Sequence, residues 1–284
     1  MTEPLAGPFE HRPIAFNFAT ASSNKIHDDE TARRFGFAGG LVPGVAVYGY
    51  LVAPVVQAFG GAWCERGAAA VRFDHPVYEG DRVTARATRD PAAPSTRLTL
   101  ELFDGDGTRC ASGWASLPVD GDPEGLPAPA LADLPAPPLP EPDRRPPAGL
   151  GVLRPGTVLG AYPCGPWSRA ELAEIARRYR DPGRRWAADA EPPALHPAHL
   201  LDAANQLLVA NVLLGPWIHV ASEVRHLHRL DPERPHRMRG RVAEAQERKG
   251  HEIVRLELAL FDDADRAIAT ASHTAIVRPR QRGG

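Results

Sequence analysis

The sequence predicts an α+β protein in which two long apolar helices are each enclosed by a curved antiparallel sheet. Residues 45–59 are apolar or small at almost every position and lack the polar face of a surface helix. Residues 196–214 form a second, largely apolar stretch that ends at Gly215-Pro216. Each stretch is followed by several short segments with the alternation and turn signals of β-strands.

The first apolar stretch starts after Pro43-Gly44 and has to be covered by other parts of the protein. It is too short for a membrane span and is interrupted by Pro54 and Gln57. We therefore expect a sheet wrapped around this helix and no membrane partner.

The elements of the first half follow in order. A weak first strand or lead-in is predicted at 13–20 and a short helix at 28–35. In the segment 97–103, Leu98, Leu100 and Leu102 alternate with Thr99 and Glu101, which indicates a sheet with one solvated face. The sequence DGDG at 104–107 is a strong hairpin turn. The strands predicted for this half are 69–73, 82–87, 97–103 and 110–117.

A proline-rich segment separates the halves. Residues 118–147 contain eleven prolines, a composition that removes ladder donors and breaks helices. The predicted division is an N-terminal unit at 1–117, a linker at 118–150 and a C-terminal unit at 151–284. We expect 120–147 to be exposed and to lack regular structure.

The second half begins with a capped helix. Ser168 and Glu171 form a capping box for a helix that runs through Tyr179 and stops at Asp181-Pro182. The second apolar helix comes next. Four strands are then predicted, at 218–227, 236–245, 252–261 and 267–277.

The two halves contain an internal repeat. Residues 97–104 (RLTLELFD) align without gaps on 255–262 (RLELALFD), and in both halves a buried helix precedes a meander of strands. A meander that curls around one long helix is the hotdog arrangement, so the repeat predicts a double hotdog with joined sheets. The alternative is two unrelated α+β domains whose strand patterns match by chance.

Composition excludes several classes of function. The net charge of −2 gives no support for a nucleic-acid partner. The three cysteines show no Cys-x-x-Cys spacing, which predicts neither a metal site nor a disulfide framework and fits a reducing compartment. Residues 1–10 lack the pattern of a signal peptide, so a cytoplasmic location is expected.

The first half contains a polar loop that leads into the buried helix. From Phe18 to about Asp81 it resembles the MaoC-like, (R)-specific enoyl-CoA hydratase family, on Asn24-x-Ile26-His27, Phe35-Gly-Phe37, Gly40-Leu-Val-Pro-Gly44, Val71-Arg-Phe73 and Gly80-Asp81. The family motif has an aspartate where this chain has Ser22 and a proline where it has Lys25. The histidine of the hydratase pair is therefore present and the aspartate is absent.

The second apolar helix carries a different signature. The run Leu195-His-Pro-Ala-His-Leu-Leu-Asp202, followed by Gln206, is similar to the C-terminal half of polyketide-synthase dehydratase domains. Those domains carry a His-Pro-Ala-x-Leu-Asp-x-x-x-Gln signature. In that family the first hotdog supplies a histidine and the second an aspartate, and the two meet between the copies. The resemblance implies the same meeting of His27 and Asp202 here.

Together the residues predict chemistry on an acyl thioester, a reaction that needs no cofactor or metal. Dehydration of a 3-hydroxyacyl thioester needs a base beside the thioester, an acid for the departing hydroxyl and donors for the carbonyl oxygen. His27 is assigned as the base and Asp202 as the acid or hydroxyl positioner, with Gln206 holding Asp202 from one helical turn away. The helix-opening N–H of Gly44 is assigned as the oxyanion donor. The expected partner is the substrate on coenzyme A or an acyl carrier protein, and a homodimer is compatible with it.

Alternatives remain open for each residue and for the function. His27 could cap the helix at 28–35, Asp202 could form an ion pair with Arg225 or Arg169, and Gly44 could serve packing alone. A thioesterase would use Asp202 with Gln206 to activate water, and a non-catalytic protein would only bind acyl thioesters. Double-bond isomerisation would use the same base and oxyanion donor as dehydration.

Overall fold

Ten strands form one continuous antiparallel sheet in the computed structural model, which describes residues 7–89, 96–118 and 134–280. The order across the sheet is β1-β3-β4-β5-β2-β7-β10-β9-β8-β6, so the first five positions come from the first half of the chain and the last five from the second. The expected α+β architecture with joined sheets is thereby confirmed.

Within the described residues of the first half there are three α-helices and five strands. The helix α2 is buried at all eleven positions from Val45 to Val55, because strands of the sheet, α5 and Tyr179 pack against it. Its bounds agree with the predicted apolar stretch. The elements are β1 Phe9–His11, α1 Asp29–Arg34, α2 Gly44–Phe59, α3 Trp63–Arg66, β2 Ala68–Phe73, β3 Thr84–Arg89, β4 Arg97–Phe103 and β5 Arg109–Ser116.

The second half repeats this plan, with two α-helices and five strands in its described part, up to residue 280. Ser168 and Glu171 form the predicted capping box of α4. The second apolar helix, α5, is shorter than predicted at both ends. The elements are β6 Val158–Cys164, α4 Arg169–Arg178, α5 His199–Asn211, β7 Ile218–His226, β8 His236–Arg248, β9 His251–Phe261 and β10 Ala267–Arg278.

The two halves are joined by the pairing of β2 with β7. The register runs from Ala68 opposite Arg225 to Arg72 opposite Ala221. One hydrophobic core extends through both halves and contains residues of α2 and α5. By length and composition the stretch Gly44–Arg66 would pass for a membrane span, but α2 lies inside this core.

Three parts of the sequence interpretation differ from the structure. Instead of a strand at 13–20, there is a single bridge between Ile14 and Arg82, and β1 lies earlier in the chain. The edge strand β6 was not predicted, because Gly160 and Pro163 interrupt its pattern, and an edge position tolerates a proline without an N–H. Residues 119–133 of the predicted linker lie outside the described residues.

The described part of the linker packs more closely than expected. Leu134 is only 4 % exposed and contacts Ala259 and Phe261 of β9. The N–H of Ala161 donates to the carbonyl oxygen of Pro137 at 2.8 Å. Most of 134–147 has no regular structure apart from a short 3₁₀ turn at Pro142–Arg144, but the prediction of full exposure is wrong at Leu134.

Candidate active site

A cavity of about 280 Å³ lies at the N-terminal end of α2, where the start of β7 reaches the first half. Both halves contribute to its walls, and much of the lining is apolar. The polar loop before α1 supplies one side and α5 supplies another. Its lining includes His27, Gly44, Phe73, Asn205 and His219.

His27 lies in this wall with a defined proton position. Its Nδ1 is 2.7 Å from the carbonyl oxygen of Leu41, which can only accept, so Nδ1 carries the proton in the neutral ring. The other nitrogen, Nε2, is 3.3 Å from the amide nitrogen of Asn24, which donates to it. Burial lowers the pKa of His27, although the Leu41 hydrogen bond acts in the opposite direction. The ring is therefore neutral near pH 7 and presents an unprotonated Nε2.

Asn24 ties the His27 loop to the second half of the chain. Its amide nitrogen donates to the carbonyl oxygen of Trp217 at 3.0 Å, and its Oδ1 accepts from the N–H of Trp217 at 3.1 Å.

The helix α1 is capped by Asp28, whose Oδ1 accepts from the N–H of Thr31. The alternative in which His27 caps this helix is thus not supported.

Gly44 is the first residue of α2 and faces the same cavity. Its N–H is among the first four of the helix, which have no partner within it. A Cβ at this position would lie 3.0 Å from Nδ1 of His219 and 3.0 Å from Cε2 of Phe73. Both contacts are tighter than ordinary side-chain packing, so glycine allows the close approach of β2 and β7 to the start of the helix.

Asp202 and Gln206 do not line the cavity that contains His27 and Gly44. The Asp202 carboxylate lies 3.5 Å from Nδ1 of His199, and Gln206 is exposed. Successive residues of a helix are about 100° apart, so Asn205 points about 60° from Asp202 and about 100° from Gln206. Asn205 therefore lies on the face of α5 that meets the cavity. The expectation that Asp202 and Gln206 share a cavity with His27 is not met.

Asn205 and His219 are cavity residues that the sequence analysis missed. Oδ1 of Asn205 and Nδ1 of His219 are both buried, and neither has a hydrogen-bond partner among the described residues. A buried polar atom without a partner is costly, and it is the structural signal that identifies both residues.

Comparisons with known proteins agree with this architecture. No protein-family model matches the chain, and no curated protein matches its sequence. Its structure is similar to that of RV0216 from Mycobacterium tuberculosis, described as a double hotdog protein, at 15 % identity, 96 % coverage of both chains and a TM-score of 0.62. The chain has a double hotdog fold.

Two further similar structures are of proteins named for an activity. A putative MaoC domain protein dehydratase from Chloroflexus aurantiacus matches at 12 % identity and a TM-score of 0.57, over 97 % of this chain and 96 % of that one. A putative oleoyl thioesterase from Lactobacillus plantarum matches at 15 % identity and a TM-score of 0.53, over 97 % and 98 %. At these identities the likeness establishes the fold alone.

The second hotdog holds a buried pair, Asp181 and His196, near the start of its own helix. Nε2 of His196 is 3.3 Å from Oδ2 of Asp181, which also accepts from Nε1 of Trp186 at 2.8 Å. Oδ1 of Asp181 accepts from the N–H of Gly183, and Nδ1 of His196 accepts from the N–H of Ala198. Since every polar atom of the pair has a partner, we interpret it as structural.

Proposed function

We propose that the protein is an acyl-thioester dehydratase or hydratase that interconverts 3-hydroxyacyl and 2-enoyl thioesters. The observation that carries this proposal is the presence of an unprotonated His27 Nε2 and the helix-opening Gly44 N–H in the walls of one cavity. A base beside the thioester and a donor for its oxygen are the two requirements for removing a proton from the adjacent carbon.

The reaction can be written with His27 as the only base. The Asn24 amide releases its hydrogen bond to Nε2 of His27. Nε2 then takes the proton from C2 of the 3-hydroxyacyl thioester, and the electron pair of the broken C–H bond moves toward the carbonyl to give an enolate. The N–H of Gly44 stabilises the charge on the enolate oxygen. The protonated Nε2 then gives the same proton to the 3-hydroxyl, the C3–O bond breaks, and water leaves as the C2–C3 double bond forms. Hydration follows the reverse order.

The single-base route fits the polar groups of this cavity. Ser22 stands where the resembling hydratases have an aspartate, and Asp202 and Gln206 lie outside the cavity. The amide of Asn205 can hold the departing hydroxyl or the attacking water by hydrogen bonds, although it cannot supply a proton in the way that a carboxylic acid does. We assign Asn205 this positioning role in place of Asp202.

The cavity determines what class of substrate it accepts. Its volume and its apolar wall, which includes Val47, Phe73 and Ile276, suit a hydrocarbon acyl group with a few fixed polar contacts. We propose a substrate carried on coenzyme A or on an acyl carrier protein, and a cytoplasmic site of action. The thioesterase alternative placed its water-activating carboxylate at Asp202, which does not face this cavity.

The test is product analysis with trans-2-hexenoyl-CoA. We expect loss of the conjugated double bond and retention of the thioester, measured by ultraviolet absorbance and mass spectrometry. His27→Ala should reduce turnover by about 10²-fold or more, because a general base contributes that much. The exposed His228 lies outside the cavity, so His228→Ala is the matched control and should retain turnover.

Two results would contradict the proposal. Release of free thiol from hexenoyl-CoA, without a hydroxyl product, would indicate a thioesterase. Full turnover by a His27→Ala variant of unchanged urea stability would remove His27 from the chemistry.

A further inference from the structure

Three buried polar side chains form a hydrogen-bonded chain behind the cavity wall. Nε2 of His219 is 2.8 Å from Oγ of Ser222, and the same Oγ is 3.0 Å from Nδ1 of His273. The two imidazole rings lie 4.2 Å apart between centroids. His273 is fully buried and His219 is 7 % exposed. None of these three side chains takes part in the proposed reaction with His27 and Gly44.

A β-bulge places His219 on this inner face. Residues 219 and 222 are three apart, so in a regular strand they would point to opposite faces of the sheet. The register of β7 against β10 shifts, however, with Thr274 opposite Ala221 and Ala275 opposite His219. The extra residue of β7 turns His219 to the side of Ser222, and bulges commonly re-aim a side chain beside an active site.

Burial keeps both rings neutral. Burial and the neighbouring His273 lower the pKa of His219 well below its usual value, although the Ala221 carbonyl acts in the opposite direction. Burial also lowers the pKa of His273 to about 3. Each neutral ring has one N–H and one acceptor nitrogen. The two hydrogen bonds of Ser222 can therefore run in either of two directions, which we call the polarity of the hydrogen-bonded chain.

The unpartnered atoms decide that polarity. Nδ1 of His219 and Nε2 of His273 both lack a partner. If His219 donated from Nε2 to Ser222, the Ser222 hydroxyl would donate to His273 and leave a buried N–H of His273 without an acceptor. In the opposite polarity, His273 donates from Nδ1 to Ser222, and Ser222 donates to Nε2 of His219. Each polarity leaves one N–H without an acceptor, at Nε2 of the fully buried His273 in the first and at Nδ1 of His219 in the second. His219 lines the cavity, where the oxygen of a ligand can accept from this N–H, so the second polarity is favoured and Nδ1 of His219 carries a proton.

That proton lies beside the proposed oxyanion site. Nδ1 of His219 is the atom 3.0 Å from a Cβ placed on Gly44, and both residues line the cavity. We propose that the Nδ1–H of neutral His219 is a second hydrogen-bond donor to the thioester carbonyl oxygen, beside the N–H of Gly44. This inference rests on the proposed function for its substrate class. In the free protein Nδ1 is closed to water, so the ring has to turn toward the oxygen when substrate binds.

Such a donor adds stabilisation where negative charge develops. A neutral N–H in a water-excluded wall holds the enolate oxygen more strongly than it holds the ground-state carbonyl oxygen, because charge grows on the oxygen as the C2 proton leaves. Ser222 and His273 act as positioning residues, since they fix the tautomer of His219 without contact to substrate.

The decisive measurement is the carbonyl stretch of bound hexanoyl-CoA, recorded by isotope-edited infrared spectroscopy with a ¹³C carbonyl label. This saturated thioester undergoes neither hydration nor dehydration, so the readout does not depend on the proposed reaction. We expect a lowered stretching frequency in the parent protein and a smaller lowering in His219→Leu. His219→Asn should restore part of the effect, because its amide N–H occupies a position close to that of Nδ1.

The matched control is His226→Leu, which removes another buried histidine from the inner face of the same strand, away from the cavity. It should leave the carbonyl frequency as in the parent. Nitrogen-15 NMR of His219 in the free parent should show a protonated Nδ1, and Ser222→Ala should reduce that tautomeric preference.

The outcomes separate this inference from the proposed function. A parent without hydratase activity that still lowers the hexanoyl-CoA frequency through His219 would support the donor role and refute the reaction. An equal frequency in the parent and His219→Leu, with hexanoyl-CoA bound to both, would overturn the donor role even if hydration is observed. A protonated Nε2 in free His219 would overturn the tautomer argument.

Discussion

Replacement of His226 by leucine should make the protein more resistant to acid. His226 lies at the end of β7, only 8 % exposed, with its ring 5.1 Å from that of Trp63 in an edge-on contact. Burial lowers the pKa of this histidine from 6.5 to about 4. The folded state therefore holds the ring neutral in a pH range where the unfolded chain protonates it.

The magnitude follows from the two pKa values. The unfolded state binds more protons below pH 6.5, so the free energy of unfolding falls as the pH falls. The decrease due to His226 reaches about 2 kcal/mol at pH 5 and about 3 kcal/mol once the pH is well below 4. Either value is a substantial part of the free energy of unfolding of a typical domain, which is roughly 5–15 kcal/mol.

The assay is urea unfolding of the parent and of His226→Leu at several pH values between 7.5 and 4.5. Loss of the contact with Trp63 and any repacking shift the curve of the variant by an amount that does not depend on pH. The change with pH of the stability difference therefore isolates the titration. We expect the stability difference, variant minus parent, to increase by about 2 kcal/mol between pH 7 and pH 5. His219 and His273 remain in both proteins and contribute equally to both slopes.

A pH-independent difference between the two proteins would refute this reasoning. It would show that His226 titrates near its ordinary pKa in the folded state, and hence that water reaches the ring. The folded-state pKa values of the other buried histidines would then have to be measured in the same way.

Three further predictions concern individual residues. Gly44→Ala should reduce hydratase turnover by about 10²-fold with a smaller effect on thermal stability, because its Cβ would press on His219 and Phe73 and shift the donor groups. Asp202→Asn should retain turnover close to the parent's in the hexenoyl-CoA assay, since the side chain lies outside the cavity. A strong loss of rate would return Asp202 to the site. Asp181→Asn should lower the free energy of unfolding by about 1–3 kcal/mol in urea, by weakening the buried pair, while turnover per folded molecule stays unchanged.

The sequence alone predicts the elements whose patterns are long and regular. The apolar run of α2 has no polar face, and the alternating leucines of β4 leave one face solvated, so helix and strand were identified with bounds close to those observed. The repeat at 97–104 and 255–262 predicted that both halves share one architecture. Edge strand β6 was not predicted because glycine and proline interrupt it, and β8 is its one neighbouring strand in the described sheet.

The candidate site was only partly predictable. His27 and Gly44 belong to the segment that leads into and begins α2, and both line one cavity, so their motif identified them correctly as neighbours of that cavity. The choice between Asp202 and Asn205 depends on the rotation of α5 about its axis, which an almost wholly apolar helix does not reveal. The position of His219 depends on a one-residue bulge, and no local propensity marks where a ladder shifts its register.

The pairing of β2 with β7 makes this single polypeptide equivalent to a dimer whose subunits have been fused. In an assembly of identical subunits every substitution appears twice, so both sites must accept it. In a fused chain each site accumulates changes independently. Here the start of α2 borders the cavity that His27 lines, while the Asp181–His196 pair lies before α5. Fusion thus permits each half to acquire its own side chains near the start of its long helix.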